Sequence, residues 1–389
     1  QIIRKEENPV IIINAKVYTM EDDQVWDRGY VRFENGKITA VGPMDQAPCA
    51  DGEETLDAMG GCVMPGMIDA HTHIGICAES INVAAEFVNE MTDPDTAQLR
   101  AIDGFFPFDT AIPKARAAGV TTALISPGSA NAFGGQIAAV KLDGTRVEDM
   151  ILKAPVAMKM ATGDNVRTTY GPQNKLPMTR MGIAAVMREA FMQTLDYLER
   201  KERGEHPALN VRWEALAPVV RHELPIHIHA HRSDDIYTAM RVAREFGLEL
   251  VVVHATDGAV TAQDMAREHV PAIVGPSLFS STKLETLNLS FKTPGIMAKA
   301  GVKIALTTDH DVVPLEYLPI CAAVAVREGL DPYEALKAIT INPAQITHLD
   351  DRIGSLKPGK DADIAVFSGH PLDWMSRPVA VFVSGRRCA

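Results

Sequence analysis

Several things are scarce in this chain of 389 residues, and each scarcity narrows its function. Cysteine occurs five times (Cys49, Cys62, Cys77, Cys321, Cys388), scattered and with no CxxC pair. That excludes a disulfide framework and a zinc ribbon, and a reducing cytoplasm is the expected compartment. No stretch reaches the roughly 18 uninterrupted apolar residues of a membrane helix. The opening residues, Gln1 to Pro9, are polar and carry no secretory apolar core. Basic runs are missing: Lys and Arg total 38 against 50 Asp and Glu, a net charge of −12. Binding to nucleic acid or to an anionic membrane by charge is therefore not expected. Aromatic residues make up only 6%, and Tyr18, Trp26 and Trp213 form no base-stacking pattern. No GK[ST] follows the glycines at 134 and 135, so there is no P-loop.

What is present is an ordinary apolar share, 46%, enough in a chain of this length for a large buried core. Both ends read as short strands. Val10–Met20, Gly29–Val41 (broken by the turn pair Asn35-Gly36), Glu54–Ala58 and Cys62–Met64 lie at one end, and Ala362–Phe367 and Pro378–Ser384 at the other. This predicts one small β-sandwich built from both termini, residues 1–64 with 346–389. The middle, 65–345, alternates. Candidate strands are Gly66–His71, Val120–Ser126, Gln136–Leu142, Val156–Ala161, Pro225–His229, Leu248–His254, Pro271–Gly275 and Val302–Thr308. Helical patterns at 110–118, 181–203, 234–246, 261–269, 294–300 and 316–328 lie between them, the third with Ser233 or Asp234 as N-cap. Eight β segments with crossover helices between most of them predict an α/β fold, a distorted parallel (β/α)8 barrel. An open doubly wound sheet would want a Gly-rich phosphate turn after its first strand, and none is there. The polar segment 163–180 reads as a long loop after the fourth strand.

Barrel chemistry gathers at the C-terminal ends of strands. Here those ends are rich in ligand-type side chains. The first runs Asp69-Ala70-His71-Thr72-His73, and residues two apart share a face. The fourth carries Lys159 in an apolar run. The fifth has three imidazoles of one parity, His227, His229 and His231. The sixth ends at His254 and the eighth at Asp309. Alone, each reads as well as a core or surface residue. Ordered around one barrel mouth, they point to a divalent cation such as zinc, manganese, iron or cobalt.

The run Val63-Met64-Pro65-Gly66-Met67-Ile68-Asp69-Ala70-His71-Thr72-His73 resembles the PG-x-ID-x-H-x-H signature of the amidohydrolase superfamily. The tail Gly354-Ser355-Leu356-Lys357-Pro358-Gly359-Lys360-Asp361-Ala362-Asp363 and the segment Ile341-Asn342-Pro343-Ala344 also resemble it. The texture is closest to the imidazolonepropionase-like metal-dependent hydrolases. The resemblance implies His71, His73 and Asp309 on one ion, and strand-five and strand-six histidines, best matched by His229 and His254, on a second. It implies a carboxylated Lys159 as bridge, with Asp164 as a weaker substitute. Zinc is the first candidate, at one or two ions per chain.

The activity implied is hydrolysis of an amide or other C–N bond (or an ester or lactone) of a small molecule. A metal-activated hydroxide attacks, Asp309 is the general base, and His254 is next in line. His231 or His310 would support the oxyanion, and Arg167, Tyr170 and Arg232 would hold a substrate carboxylate. The superfamily's deaminases carry a Glu shortly after the strand-five His, and this chain reads His229-Ala230-His231-Arg232-Ser233 instead. A mononuclear deaminase or cyclic-imide hydrolase is therefore the alternative enzyme. A non-catalytic binding or assembly relative is the alternative of another class. Partners are expected to be the substrate and, at most, further copies of the chain. The glycine-rich loop 126–136 reads equally as a substrate-facing backbone or as a plain turn.

Overall fold

A computed structural model of the protein describes residues 9–49, 52–79 and 87–389. The expectation for Gln1 to Pro9 therefore falls outside the described residues except at Pro9. Two eight-stranded sheets organise the rest. The first takes β1 (Val10–Tyr18), β2 (Val25–Glu34), β3 (Lys37–Pro43), β4 (Glu54–Asp57) and β5 (Cys62–Pro65) from one end. From the other come β14 (Ile364–Phe367), β15 (Pro378–Val383) and β16 (Arg386–Arg387). The β2–β3 hairpin turns where expected, with Asn35 at φ 51° and Gly36 at φ 77°, the left-handed pair that such a turn needs. Antiparallel pairing of β5 with β14, Met64 opposite Ala365, joins the two ends of the chain. Alternate residues fill a core of Ile12, Val17, Val31, Phe33, Ile364 and Phe382.

The second sheet holds β6 (Met67–Thr72), β7 (Val120–Ile125), β8 (Phe133–Lys141), β9 (Ile151–Ala161), β10 (Ile226–Ala230), β11 (Leu250–His254), β12 (Ala272–Val274) and β13 (Ile304–Leu306), in sequence order. It curls into a nearly closed barrel. Thr308 donates to Asp69 through both N and Oγ1 (2.8 and 2.7 Å), and Thr307 Oγ1 donates to the His71 carbonyl (2.6 Å), so the two edges meet.

One strand corrects the expected all-parallel barrel. β8 runs antiparallel to both β7 and β9. Only residues 126–132 link β7 to β8, and a parallel pair needs a crossover of about a dozen residues or more. The start of β8, rather than its end, therefore lies at the mouth.

The helices are α1 (Ala111–Ala117), α2 (Val147–Met150), α3 (Asp164–Tyr170), α4 (Arg180–Glu202), α5 (Val211–Val220), α6 (Ser233–Phe246), α7 (Gly258–Arg267), α8 (Thr293–Lys299), α9 (Leu318–Arg327), α10 (Pro332–Lys337) and α11 (Ile341–Ile346). The segment 163–180 is not all loop: Val166 and Tyr170 bury one side of α3. α5 escapes the sequence reading because Pro218 interrupts its pattern, yet Asn210 caps it by accepting the amides of Arg212 and Trp213. α6 has Arg232 as N-cap with no side-chain cap bond, and the Asp257 carboxylate accepts the Ser233 amide at 2.8 Å instead. The tail Asp361 and Asp363 receive the buried Lys141 at the end of β8, tying the first sheet to the barrel.

Candidate metal centre

Two triads of ligand-type side chains stand at the barrel mouth. His71, His73 and Asp309 form one, and His229, His231 and His254 the other; within each, the ligand atoms lie within 4.8 Å of one another. Asp309 Oδ1 is 3.4 Å from Nε2 of both His71 and His73. The triads adjoin where the His71 and His254 rings meet edge to face, centroids 5.3 Å apart. His231 stacks on His254 at 4.7 Å.

Strand geometry supplies part of this. On β10 the period of two carries His227 and His229 to one face. β11 needs more. Val251 and Val253 pack with Ile273 and Ala305, while Val252 packs on the helix side. A regular strand would leave His254 on the Val252 side. Its φ of 77° breaks the pleat and brings its ring to the mouth. Asp309, at φ 50°, is also left-handed. Such backbone costs of order 1–3 kcal/mol per residue and clusters at functional sites.

Hydrogen bonds set which nitrogens face inward. His73 Nδ1 donates to the Ser126 carbonyl and His254 Nδ1 to the Gly275 carbonyl, each at 2.7 Å. His231 Nδ1 meets Thr256 Oγ1, also at 2.7 Å. In each neutral ring bonded to a carbonyl, Nε2 keeps its lone pair. Burial lowers His71 to about 3, with Lys159 assisting, and lowers His231 to about 4; His229 and His254 also sit well below the ordinary imidazole range because they are buried. Burial works to raise the Asp309 carboxyl, but His254, His71 and His73 hold it well below the usual range. Apart from the Lys159 amine beside His71, acceptors thus converge with no donor between them among the described residues. His71 Nδ1 and both nitrogens of His229 have no hydrogen-bond partner among the described residues. This donor-poor set of nitrogens and one carboxylate fits a divalent cation of the zinc type.

Lys159 is fully buried on β9, its Nζ 3.3 Å from His71 Nε2. Burial lowers its ammonium to about 8, against the pull of Asp309. A Cβ on Gly134, at the start of β8, would come within 3.2 Å of Lys159 Cγ and 3.0 Å of the Gly128 carbonyl. The glycine there makes room for the lysine. Asp69, whose burial raises it to about 6, accepts from His71 N and Thr308 and braces the barrel seam. His227 pairs with Lys159 one step deeper and joins neither triad.

A cavity of about 310 Å³ opens over both triads. The structure does not bring the expected carboxylate-binding residues to it. Arg167 pairs with Asp164 at 3.3 Å and Arg232 with Asp234 at 2.9 Å. Tyr170 is buried, its hydroxyl 2.6 Å from Asn131 Oδ1 and 2.7 Å from the Asp93 carbonyl. His310 is buried, and its Nδ1 accepts the Leu315 amide at 3.2 Å. Asp164 faces Arg167 and Arg180, outside either triad. His231 does reach the mouth, as a member of the second triad. The cation that lines the cavity is Lys283, whose Nζ donates to Asn165 Oδ1 at 2.8 Å. It and Glu285 stand on the loop after β12, where no periodicity marks them.

A nearly closed barrel with two such triads at its strand ends defines a metal-dependent hydrolase. The sequence model of the Amidohydrolase family matches residues 62–388, and the chain belongs to that family. Among solved structures, an amidohydrolase from Thermotoga maritima MSB8 is 40% identical, with a TM-score of 0.93 over 97% of this chain and 99% of that one. An imidazolonepropionase of Sphingopyxis alaskensis is 27% identical over 94% of this chain and 93% of its own length. Amidohydrolase tasK of Hapsidospora irregularis is 26% identical over 97% of this chain, which spans 43% of that protein. No helix among the described residues is long and apolar enough to cross a membrane.

Proposed function

We propose that the protein hydrolyses an amide or related C–N bond of a small molecule bearing a carboxylate, with two divalent cations, zinc first among them. The observation that carries this is the pair of adjoining triads, each with its acceptors turned to a common centre. His71, His73 and Asp309 would hold one ion and the strand-five and strand-six histidines the other, with Lys159 between them as a carbamate. A cation held there, when bound, lowers the pKa of water toward about 7 and polarises a carbonyl.

The chain's own residues do the rest. Asp309, kept anionic by its imidazole neighbours, takes the proton of the attacking water and passes it to the leaving nitrogen. His254 is held in one tautomer by Gly275 and orients that end of the cavity. Lys283, with no carboxylate paired to it among the described residues, faces the substrate acid. The apolar Val88, Phe279 and Val312 line the cavity and exclude water from part of it.

The mononuclear deaminase or cyclic-imide hydrolase reading has less support, because the second triad has three buried imidazoles rather than two. The test is a screen of metal-loaded protein on N-acyl amino acids, dipeptides, cyclic ureides and lactones, with each acid compared with its methyl ester. Turnover of acids over esters is expected. Metal-loaded protein that hydrolyses none of them, or esters as fast as acids, overturns the reading.

A further inference from the structure

Glu285 sits in the short turn Leu284–Thr286 on the loop after β12, and its side chain is fully buried. Its Oε2 accepts the amide of Asp164 at 2.9 Å. The other oxygen, Oε1, has no hydrogen-bond partner among the described residues. It lies 3.9 Å from Nε2 of both His229 and His231. In a tetrahedral zinc site with bonds of about 2.0–2.2 Å, neighbouring ligand atoms stand roughly 3.3–3.5 Å apart. Oε1 is thus about half an ångström beyond ligand spacing from those two nitrogens but outside the 4.8 Å grouping that includes His254, so a side-chain rotation has to carry it to the centre.

Charge points the same way. Glu285 packs beside Gly163 and Asp235, and Arg180 pairs with Asp235 (3.1 Å) and Asp164 (3.3 Å) but not with Glu285. No Lys or Arg forms an ion pair with Glu285 among the described residues. A buried carboxylate without a cation is costly. The vacant oxygen aims at two imidazoles whose own inward nitrogens lack donors.

We propose that Glu285 is a further protein ligand of the His229–His231–His254 centre, beside its three imidazoles. This rests on the two-cation reading above. Glu285 brings that centre to four side-chain ligands before any share of a Lys159 carbamate, against three at His71, His73 and Asp309, so water is expected on the first ion rather than the second. The bond also fastens to the barrel the loop whose Pro276, Phe279, Thr282 and Lys283 line the cavity. Metal at this centre therefore shapes a wall of the substrate pocket.

The experiment reloads metal-free protein with Co²⁺ and follows visible absorption. The wild type should take up two ions. Glu285→Gln should change the visible bands of one ion and bind that ion at least about tenfold more weakly. The metal-free variant should melt no lower than the metal-free wild type, since a buried charge is gone. An unchanged affinity and spectrum in Glu285→Gln overturns the proposal while leaving the two-cation reading intact. A wild type that binds no metal overturns both. Independently of any variant, anomalous diffraction from zinc-loaded wild-type crystals should place Oε1 about 2.0–2.2 Å from the ion. A water in that position with Glu285 turned away also overturns it.

Discussion

His254 Nδ1 donates to the carbonyl of Gly275 across 2.7 Å, and this bond decides which ring nitrogen faces the cavity. The carbonyl only accepts, so Nδ1 holds the proton and Nε2 the lone pair. His254→Ala removes that lone pair from the second triad. The variant should lose about one equivalent of metal, measured by elemental analysis after dialysis, and keep the ion at the first. Wild-type metal content in the variant would remove His254 from the ligand set.

Burial makes the metal-free protein sensitive to acid. His71 and His231 fall to about 3 and 4 in the folded state, whereas an unfolded imidazole titrates near 6.5. Between those values the unfolded chain binds more protons, so their contribution to stability is intact above about 6.5 and falls as pH drops toward 3. Urea unfolding of metal-free protein at pH 5 and pH 8 should show this loss, and His71→Asn should show less of it. An equal pH slope in the two proteins would mean that His71 does not titrate as described.

Lys159 has no acidic hydrogen-bond partner among the described residues and touches His71 at 3.3 Å. If it is the carbamate bridge, Lys159→Ala should lose one ion and lower kcat at least about 100-fold, and acetate or propionate should partly restore both. In wild-type protein exposed to ¹³C-labelled bicarbonate, a carbamate carbon should be visible by NMR. Full metal content and activity in Lys159→Ala would return Lys159 to an ordinary buried lysine.

Asp309→Asn keeps the shape of the side chain and removes its capacity to take a proton. It should lower kcat about 10²–10⁴-fold with little change in KM. A change confined to KM would place the base elsewhere, with His254 next to be tried.

The cavity-lining cation is Lys283, while Arg167 and Arg232 are already paired. Lys283→Met should raise KM for an acidic substrate at least about tenfold, whereas Arg167→Ala and Arg232→Ala should leave it within about twofold. The reverse pattern would restore the arginines as the carboxylate clamp.

Local order was legible without coordinates. Period-two spacing places His71 beside His73, and His227 beside His229, because alternation is a property of the strand itself. The β-rich ends and the alternating middle likewise announce a sandwich and a barrel, since each short apolar run needs a covering layer. At His254 the strand-end position marks the ligand, whereas period-two spacing alone would turn it away: a single φ of 77°, which no residue type signals, reverses the face.

The sequence by itself determined the family, the barrel and the strand ends that carry imidazole, amine and carboxylate, because those depend on motif, period and chain order. Tertiary structure decided what depends on contacts distant in the chain. It ran β8 antiparallel through the shortness of its connection, and put Gly134 against Lys159. It grouped His231 with His229 and His254, and paired Arg167 and Arg232 away from the cavity. It also lowered Glu285 and Lys283 onto the mouth from the loop after β12. Loop side chains have no periodicity to aim them, so only the packing of the whole fold fixes where they point.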